Sequence, residues 1–150
     1  MAKQLGFAVL GMAAVTLWVG PTAAAQGPGT AGETFRTRLT TVPVEASMLS
    51  TVAGSGSLTA VLAGRKLTLT GTFEGLRSAA TVARIHRGTA RGVRGPAIFD
   101  LTVSKATSGS ISGSLDLTPA QVEDLRNTRL YVQIHSEGAP DGNLWGWLLR

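Results

Sequence analysis

What most narrows the folds open to this chain is a series of short segments in which apolar residues recur at every second position, separated by turn residues. Period two puts successive side chains on opposite faces of a strand, whereas a helix repeats near 3.6. The strongest such stretch runs from Arg129 to Leu149. Leu130, Val132 and Ile134 alternate there with Tyr131, Gln133 and His135, and later Leu144, Gly146 and Leu148 alternate with Trp145, Trp147 and Leu149. Between the two runs, Pro140-Asp141-Gly142 offers turn chemistry: Pro presets φ, Asp can bond its own backbone, and Gly tolerates positive φ. The sequence therefore predicts a C-terminal hairpin with its turn at Pro140-Asp141-Gly142. Its apolar content requires a sheet whose other strands lie upstream.

Those strands are legible by the same alternation. Glu33 to Leu39 sets Phe35, Thr37 and Leu39 against Arg36 and Arg38. Ser57 to Leu62 and Lys66 to Phe73 form a hairpin across Ala63-Gly64-Arg65, preceded by a break at Gly54-Ser55-Gly56. Ala79 to His86 places Ala79, Thr81, Ala83 and Ile85 on one face and Ala80, Val82, Arg84 and His86 on the other. Ala97 to Val103 and Ser110 to Leu117 follow. Val42-Pro43-Val44 cannot extend a central strand, because Pro has no donor for the ladder. One helix interrupts the series: Thr118 is its N-cap, Pro119 its first residue, and Gln121 closes a capping box. Leu117 and Val122 are spaced for a hydrophobic staple, Leu125 adds to the buried side, and Asn127 suits a left-handed stop. Six to eight short strands with one crossover helix predict an all-β Greek-key sandwich or closed barrel over residues 33–150.

The first residues follow other rules. Lys3 is the only charge before Glu33, Leu5 to Val19 is apolar apart from glycines and Thr16, and Ala23-Ala24-Ala25 fits a small-x-small cleavage site. That pattern reads as a secretory signal peptide over residues 1–25, followed by a flexible leader over 26–32. The competing reading is an uncleaved membrane anchor, but a spanning helix needs about twenty apolar residues. The expected location is secreted or periplasmic. No cysteine occurs anywhere, so neither disulfides nor a lipidated N-terminal cysteine can contribute. A chain of this length can bury a core without such staples. Losing Lys3 takes one from fourteen Lys and Arg against nine Asp and Glu, lowering the net charge from +5 to +4. Mild basicity favours acidic polymers or surfaces, while a nucleic-acid module is not indicated: there is no basic helix and no zinc-finger spacing.

With the elements placed, residues from about Phe35 to Leu149 resemble the CHRD domain, the module repeated in the secreted antagonist chordin and present in many bacterial secreted proteins. The matching motifs are Thr41-Val42-Pro43, Gly75-Leu76, Ile85-His86 before a glycine-rich loop, Gly95-Pro96, Leu117-Thr118-Pro119-Ala120-Gln121-Val122, Leu130-Tyr131-Val132-Gln133-Ile134-His135 and Gly142-Asn143-Leu144-Trp145-Gly146. Two positions depart from the family pattern: Arg84-Ile85-His86 stands where His-Ile-His is common, and Trp145 where Arg is usual. The resemblance implies an immunoglobulin-like barrel, distantly similar to copper-zinc superoxide dismutase, with no established catalytic activity.

Two groups of residues carry chemistry. His86 and His135 are the only histidines, each the last residue of its strand and on the face opposite the preceding isoleucine. If their strands are neighbours, both imidazoles reach one rim, where they could hold copper or zinc with Asp141, Glu137 or Asp100 as further ligands. Otherwise each simply bonds backbone and fixes its adjoining loop. Arg84 beside them disfavours a cation. Arg84, Arg87, Arg91 and Arg94 form the second group, threaded by Gly88, Gly92 and Gly95. Guanidinium groups there could clamp carboxylate, sulfate or phosphate, or could merely keep a loop solvated. Trp145 and Trp147 share a face and suit either a binding surface or the core. No catalytic constellation is present: there is no cysteine nucleophile, Gly54-Ser55-Gly56-Ser57-Leu58 lacks the elbow's last glycine, and the carboxylates are scattered. The expectation is an exported, non-enzymatic binding or structural module contacting an extracellular protein or acidic glycan through Arg84, His86, Arg87, Arg91, Arg94 and His135. The alternative is a small copper- or zinc-binding protein at His86 and His135.

Overall fold

A computed structural model describes residues 31–150, so the signal peptide expected over 1–25 and most of the leader lie outside the described residues. Every alternating segment becomes a strand: β1 (Glu33–Thr41), β2 (Ser55–Ala63), β3 (Lys66–Glu74), β4 (Ala80–Arg87), β5 (Ala97–Val103), β6 (Gly109–Asp116), β7 (Leu130–Ser136) and β8 (Ala139–Trp147). Helix α1 (Pro119–Arg126) bridges β6 and β7. The strands close into a barrel in the order β1-β2-β3-β6-β5-β4-β7-β8, with β8 returning to β1 at Thr40↔Trp145 and Thr41↔Leu144. All neighbours are antiparallel. Two Greek keys overlap in that order. Strands β4, β5 and β6 are joined consecutively; β3 lies beside β6, and β7 lies beside β4 after the α1 crossover.

The alternation decides what fills the barrel. Phe35 and Leu39 of β1, Leu67 and Leu69 of β3, Ile85 of β4, Val132 and Ile134 of β7 and Leu144 of β8 are buried in one core cluster. Helix α1 covers one end of it. Its capping box forms as its sequence requires: the Gln121 N–H donates to Thr118 Oγ1 at 3.2 Å, and the Thr118 N–H donates to Gln121 Oε1 at 2.9 Å. Leu117, Val122 and Leu125 are buried beneath the helix in the same cluster.

Four local expectations are corrected. The last hairpin turns at Glu137-Gly138, since Ser136 pairs with Ala139, and Pro140-Asp141-Gly142 belongs to β8. There β8 bulges: between Ile134↔Leu144 and Ser136↔Ala139, His135 alone faces the residues from Pro140 to Asn143. Gly142, at φ 130°, makes that conformation possible. Pro140 does no harm, because β1 reaches β8 only at Trp145 and Leu144. On β4 a register shift between Ala80 and Val82 turns Ala80 inward, to 1% exposure, against simple alternation. Ser55 and Gly56 lie within β2 rather than in a break. Helix α1 ends in a Schellman motif, in which the Arg129 N–H donates to Asp124 O at 2.8 Å and the Thr128 N–H to Leu125 O at 3.1 Å. That motif puts the left-handed residue one past the cap. It is therefore Thr128 (φ 56°), while Asn127 keeps φ −86°.

Candidate binding face

Residues that point away from the core on β1, β8, β7 and β4 form one outer face. Cross-strand pairing sets Thr40 beside Trp145, Trp147 beside Tyr131, Tyr131 beside His86, and Gln133 beside both Trp145 and Arg84. Such a face would normally be solvated, yet Tyr131 is 1% and Gln133 3% exposed. What covers Tyr131 is the arginine-rich loop between β4 and β5, which folds back over the sheet. The Gly95 carbonyl accepts from the His86 Nδ1–H at 3.0 Å and from the Tyr131 hydroxyl at 3.3 Å, and the Gly95 N–H donates to that hydroxyl at 3.1 Å. A side chain at Gly95 would place Cβ 1.8 Å from the Arg87 carbonyl, so only glycine allows this approach.

Beneath the loop the rings form a continuous cluster. His86 stacks on Tyr131 at 5.0 Å, and Tyr131 lies 4.6 Å from Trp147 and edge-on to Trp145 at 5.8 Å. The Arg94 guanidinium sits 5.7 Å from the Trp145 ring centre, within cation–π range. Trp145 and Trp147 thus lie on the outer surface and not between the sheets.

The two histidines are brought together, though not at a shared strand end. Antiparallel pairing puts His86 opposite Tyr131 and His135 opposite Val82, but their rings lean to within 6.2 Å. A carbonyl can only accept, so His86 carries its proton on Nδ1 while bonded to Gly95, and its buried Nε2 has no partner among the described residues. His135 is held the same way, donating Nδ1–H to Pro140 O at 2.7 Å on the β8 bulge. Its Nε2 faces the Gln133 amide at 3.5 Å, and that amide also donates to Asp141 O at 2.9 Å. Burial first, and then the nearby His135, Arg84 and Arg94, hold the His86 imidazole below its ordinary pKa against the opposing effect of the Gly95 carbonyl.

The arginines divide. Arg84 pairs with Asp100 at 2.7 Å on the surface. Arg87 turns toward α1 and grips Asp124 with two bonds of 2.5 and 3.1 Å, with Arg129 3.6 Å from the same carboxylate. Asp124 is 5% exposed, so this contact fastens β4 to the helix and engages the guanidinium of Arg87, one of the arginines expected to meet a ligand. Arg91 and Arg94 keep their charges free of carboxylate partners among the described residues, and Val93 between them is exposed. The further ligands expected from Asp141, Glu137 and Asp100 do not converge: among the described residues no three His, Asp or Glu side chains gather around a point. Sequence reading missed Arg36 and Arg38, which stand on this face beside Trp145 and Trp147. Their alternation with Phe35 and Leu39 marked them as outward-facing, but nothing local announced that β1 closes against β8.

The architecture is thus a closed Greek-key barrel with a cationic, aromatic outer face under a pinned loop. The CHRD domain family model matches residues 35–148, and the chain belongs to the CHRD domain family. That family is not one of known enzymes. Neither the curated proteins nor the solved structures contain a significant match to the chain. Among the described residues, no helix is long and apolar enough to cross a membrane.

Proposed function

We propose that this protein is exported by the segment of residues 1–25 and acts outside the cytoplasm as a non-enzymatic binding module. The observation that carries the reading is the loop of Arg91 and Arg94, pinned through Gly95 onto His86 and Tyr131 so that unpaired guanidinium groups stand over an aromatic floor. Loops held on a rigid scaffold are where binding residues concentrate. Arg91 and Arg94 supply forked donors for a carboxylate, sulfate or phosphate, His86 and His135 border them, and Arg84 and Arg87 contribute mainly through Asp100 and Asp124. Export is supported by the order of basic start, apolar run and small-residue site. Retention on an anionic matrix tests the binding reading. Changing both Arg91 and Arg94 to Ala should lower the eluting salt concentration well below that of the parent, and unchanged retention would refute it.

A second reading rests on the imidazoles. Both Nδ1–H groups are held by backbone carbonyls, the arrangement that fixes metal-ligating histidines with Nε2 available. Copper or zinc would take the two Nε2 atoms and complete its shell with water, since among the described residues no third protein ligand is at hand. Equilibrium dialysis against either metal decides it: a ratio near one that falls with His135→Ala supports the site, and a ratio near zero removes it.

A further inference from the structure

Strand β1 carries Arg36 and Arg38 on its outer face, two positions and so about 7 Å apart along the strand. Closure of the barrel sets them beside Trp145 and Trp147, and Arg91 reaches the same place from the loop. β1 pairs with β8 at Thr40 and Thr41 and through the bridge between Arg36 and Leu149; between these points the ladder is interrupted, and Gly146 packs against Thr37 and the Arg38 carbonyl. Over this seam lies an open groove of about 400 Å³, lined by Trp145, Trp147 and Leu149 together with the three arginines. That volume is typical of ligand sites.

Of the other described arginines, Arg84, Arg87, Arg126, Arg129 and Arg150 lie against carboxylates, while Arg65, Arg77 and Arg94 do not. Arg36, Arg38 and Arg91 have none within ion-pair distance among the described residues. Three unpaired cations around one groove repel each other and raise the local concentration of anions. The occupant must therefore be acidic, and it must also suit the edges of the two indoles. A strand-adding peptide is disfavoured because Gly146 already packs against Thr37 and the Arg38 carbonyl, which leaves no gap at the seam for a further strand. A nucleic acid is disfavoured because its bases need open indole faces. Trp145 and Trp147 instead pack edge-to-face with each other at 6.1 Å, and Arg94 occupies a face of Trp145.

We infer that the groove binds an acidic polysaccharide, its sugar hydroxyls meeting the indole edges of Trp145 and Trp147 and its carboxylates paired with Arg36, Arg38 and Arg91. This builds on the reading of the outer face as a binding face, but moves the principal contacts from the loop to β1 and names the ligand class.

The test is calorimetric or affinity-electrophoretic binding of the protein to polygalacturonate, with a single-stranded oligonucleotide and polyglutamate compared at the same salt. Polygalacturonate should bind tightest. Arg36→Ala with Arg38→Ala should weaken it about tenfold or more, as expected for two charge-assisted contacts. Arg65→Ala with Arg77→Ala removes the same charge from exposed positions elsewhere and should change affinity less than about twofold. Both pairs are exposed, so the folded barrel is retained. Equal losses in the two double variants would reduce the effect to net charge and overturn the proposal, as would tighter binding of the oligonucleotide or polyglutamate. If Arg91→Ala with Arg94→Ala abolishes binding while the β1 variant does not, the binding module stands and the groove on β1 falls.

Discussion

At the scale of single residues, His86 shows how burial and a single hydrogen bond set a local property. Its neutral form is favoured in the folded chain, so the unfolded chain binds the proton more readily. Stability from this residue is complete above the ordinary histidine pKa of about 6.5 and is lost as the pH falls below it. Urea midpoints should therefore fall between pH 7.5 and pH 5.5, and His86→Leu should reduce that difference. The same change removes the bond to Gly95 and should cost about 1 kcal/mol at pH 7.5. A midpoint difference identical in parent and variant would contradict the assignment. Asn143 is the complementary case of a polar residue that is fully buried and satisfied. Its side chain donates to Ser136 Oγ at 2.8 Å and accepts from the Ala53 N–H at 3.3 Å, which gives the Gly142-Asn143-Leu144 motif a structural reason.

Among elements, α1 and the arginine loop behave differently. The helix was legible because each of its signals is local: cap, proline, box and staple lie within the six residues from Leu117 to Val122. Thr118→Ala should cost about 1 kcal/mol by removing the cap, measured as a shift in the denaturation midpoint. Its junction with β4 was not legible, because Asp124 and Arg87 are remote in sequence and nothing on the helix marks Asp124 as buried. Asp124→Asn should destabilise by about 1.5–3 kcal/mol, nearer the lower figure because Arg87 is half-exposed. The loop's arginines and glycines were visible in sequence, but its fold over Tyr131 was not, since it depends on a carbonyl at Gly95 meeting two partners from different strands. Gly95→Ala cannot hold that approach. Trypsin should cut the variant at Arg91 and Arg94 faster than the parent, whereas equal cutting rates would show the loop is not pinned there.

For the molecule as a whole, strand order is the property that period-two patterns leave open. Alternation gave the eight strands and their inner faces, and it erred where a bulge adds residues, at Ala80 and at Pro140 to Gly142. The closure of β8 on β1 is a long-range fact, and with it come both Arg36 and Arg38 at the binding face and the clasp around Glu33. Arg126 and Arg150 bond Glu33, holding its pKa down to about 2, chiefly through the Arg126 hydrogen bond. Stability from this lowered carboxylate is present above about pH 4.5 and is lost as the pH falls toward 2. Glu33→Gln should flatten the acid limb of the stability curve in that interval. The outer surface is also one-sided. From Arg38 and Arg36 the surface passes across β2, β3 and β6 into hydroxyls: Ser57, Thr72 and Ser110 form one rung, and Thr59, Thr70 and Ser112 the next. A map of amide and indole chemical shifts during titration with polygalacturonate tests the central claim most directly. Shifts should concentrate on Arg36 to Thr40, Arg91 to Gly95 and the indole N–H signals of Trp145 and Trp147, leaving the far ends of the rungs, Ser110 and Ser112 on β6, still. Shifts centred on β3 and β6, or spread evenly around the barrel, would contradict it.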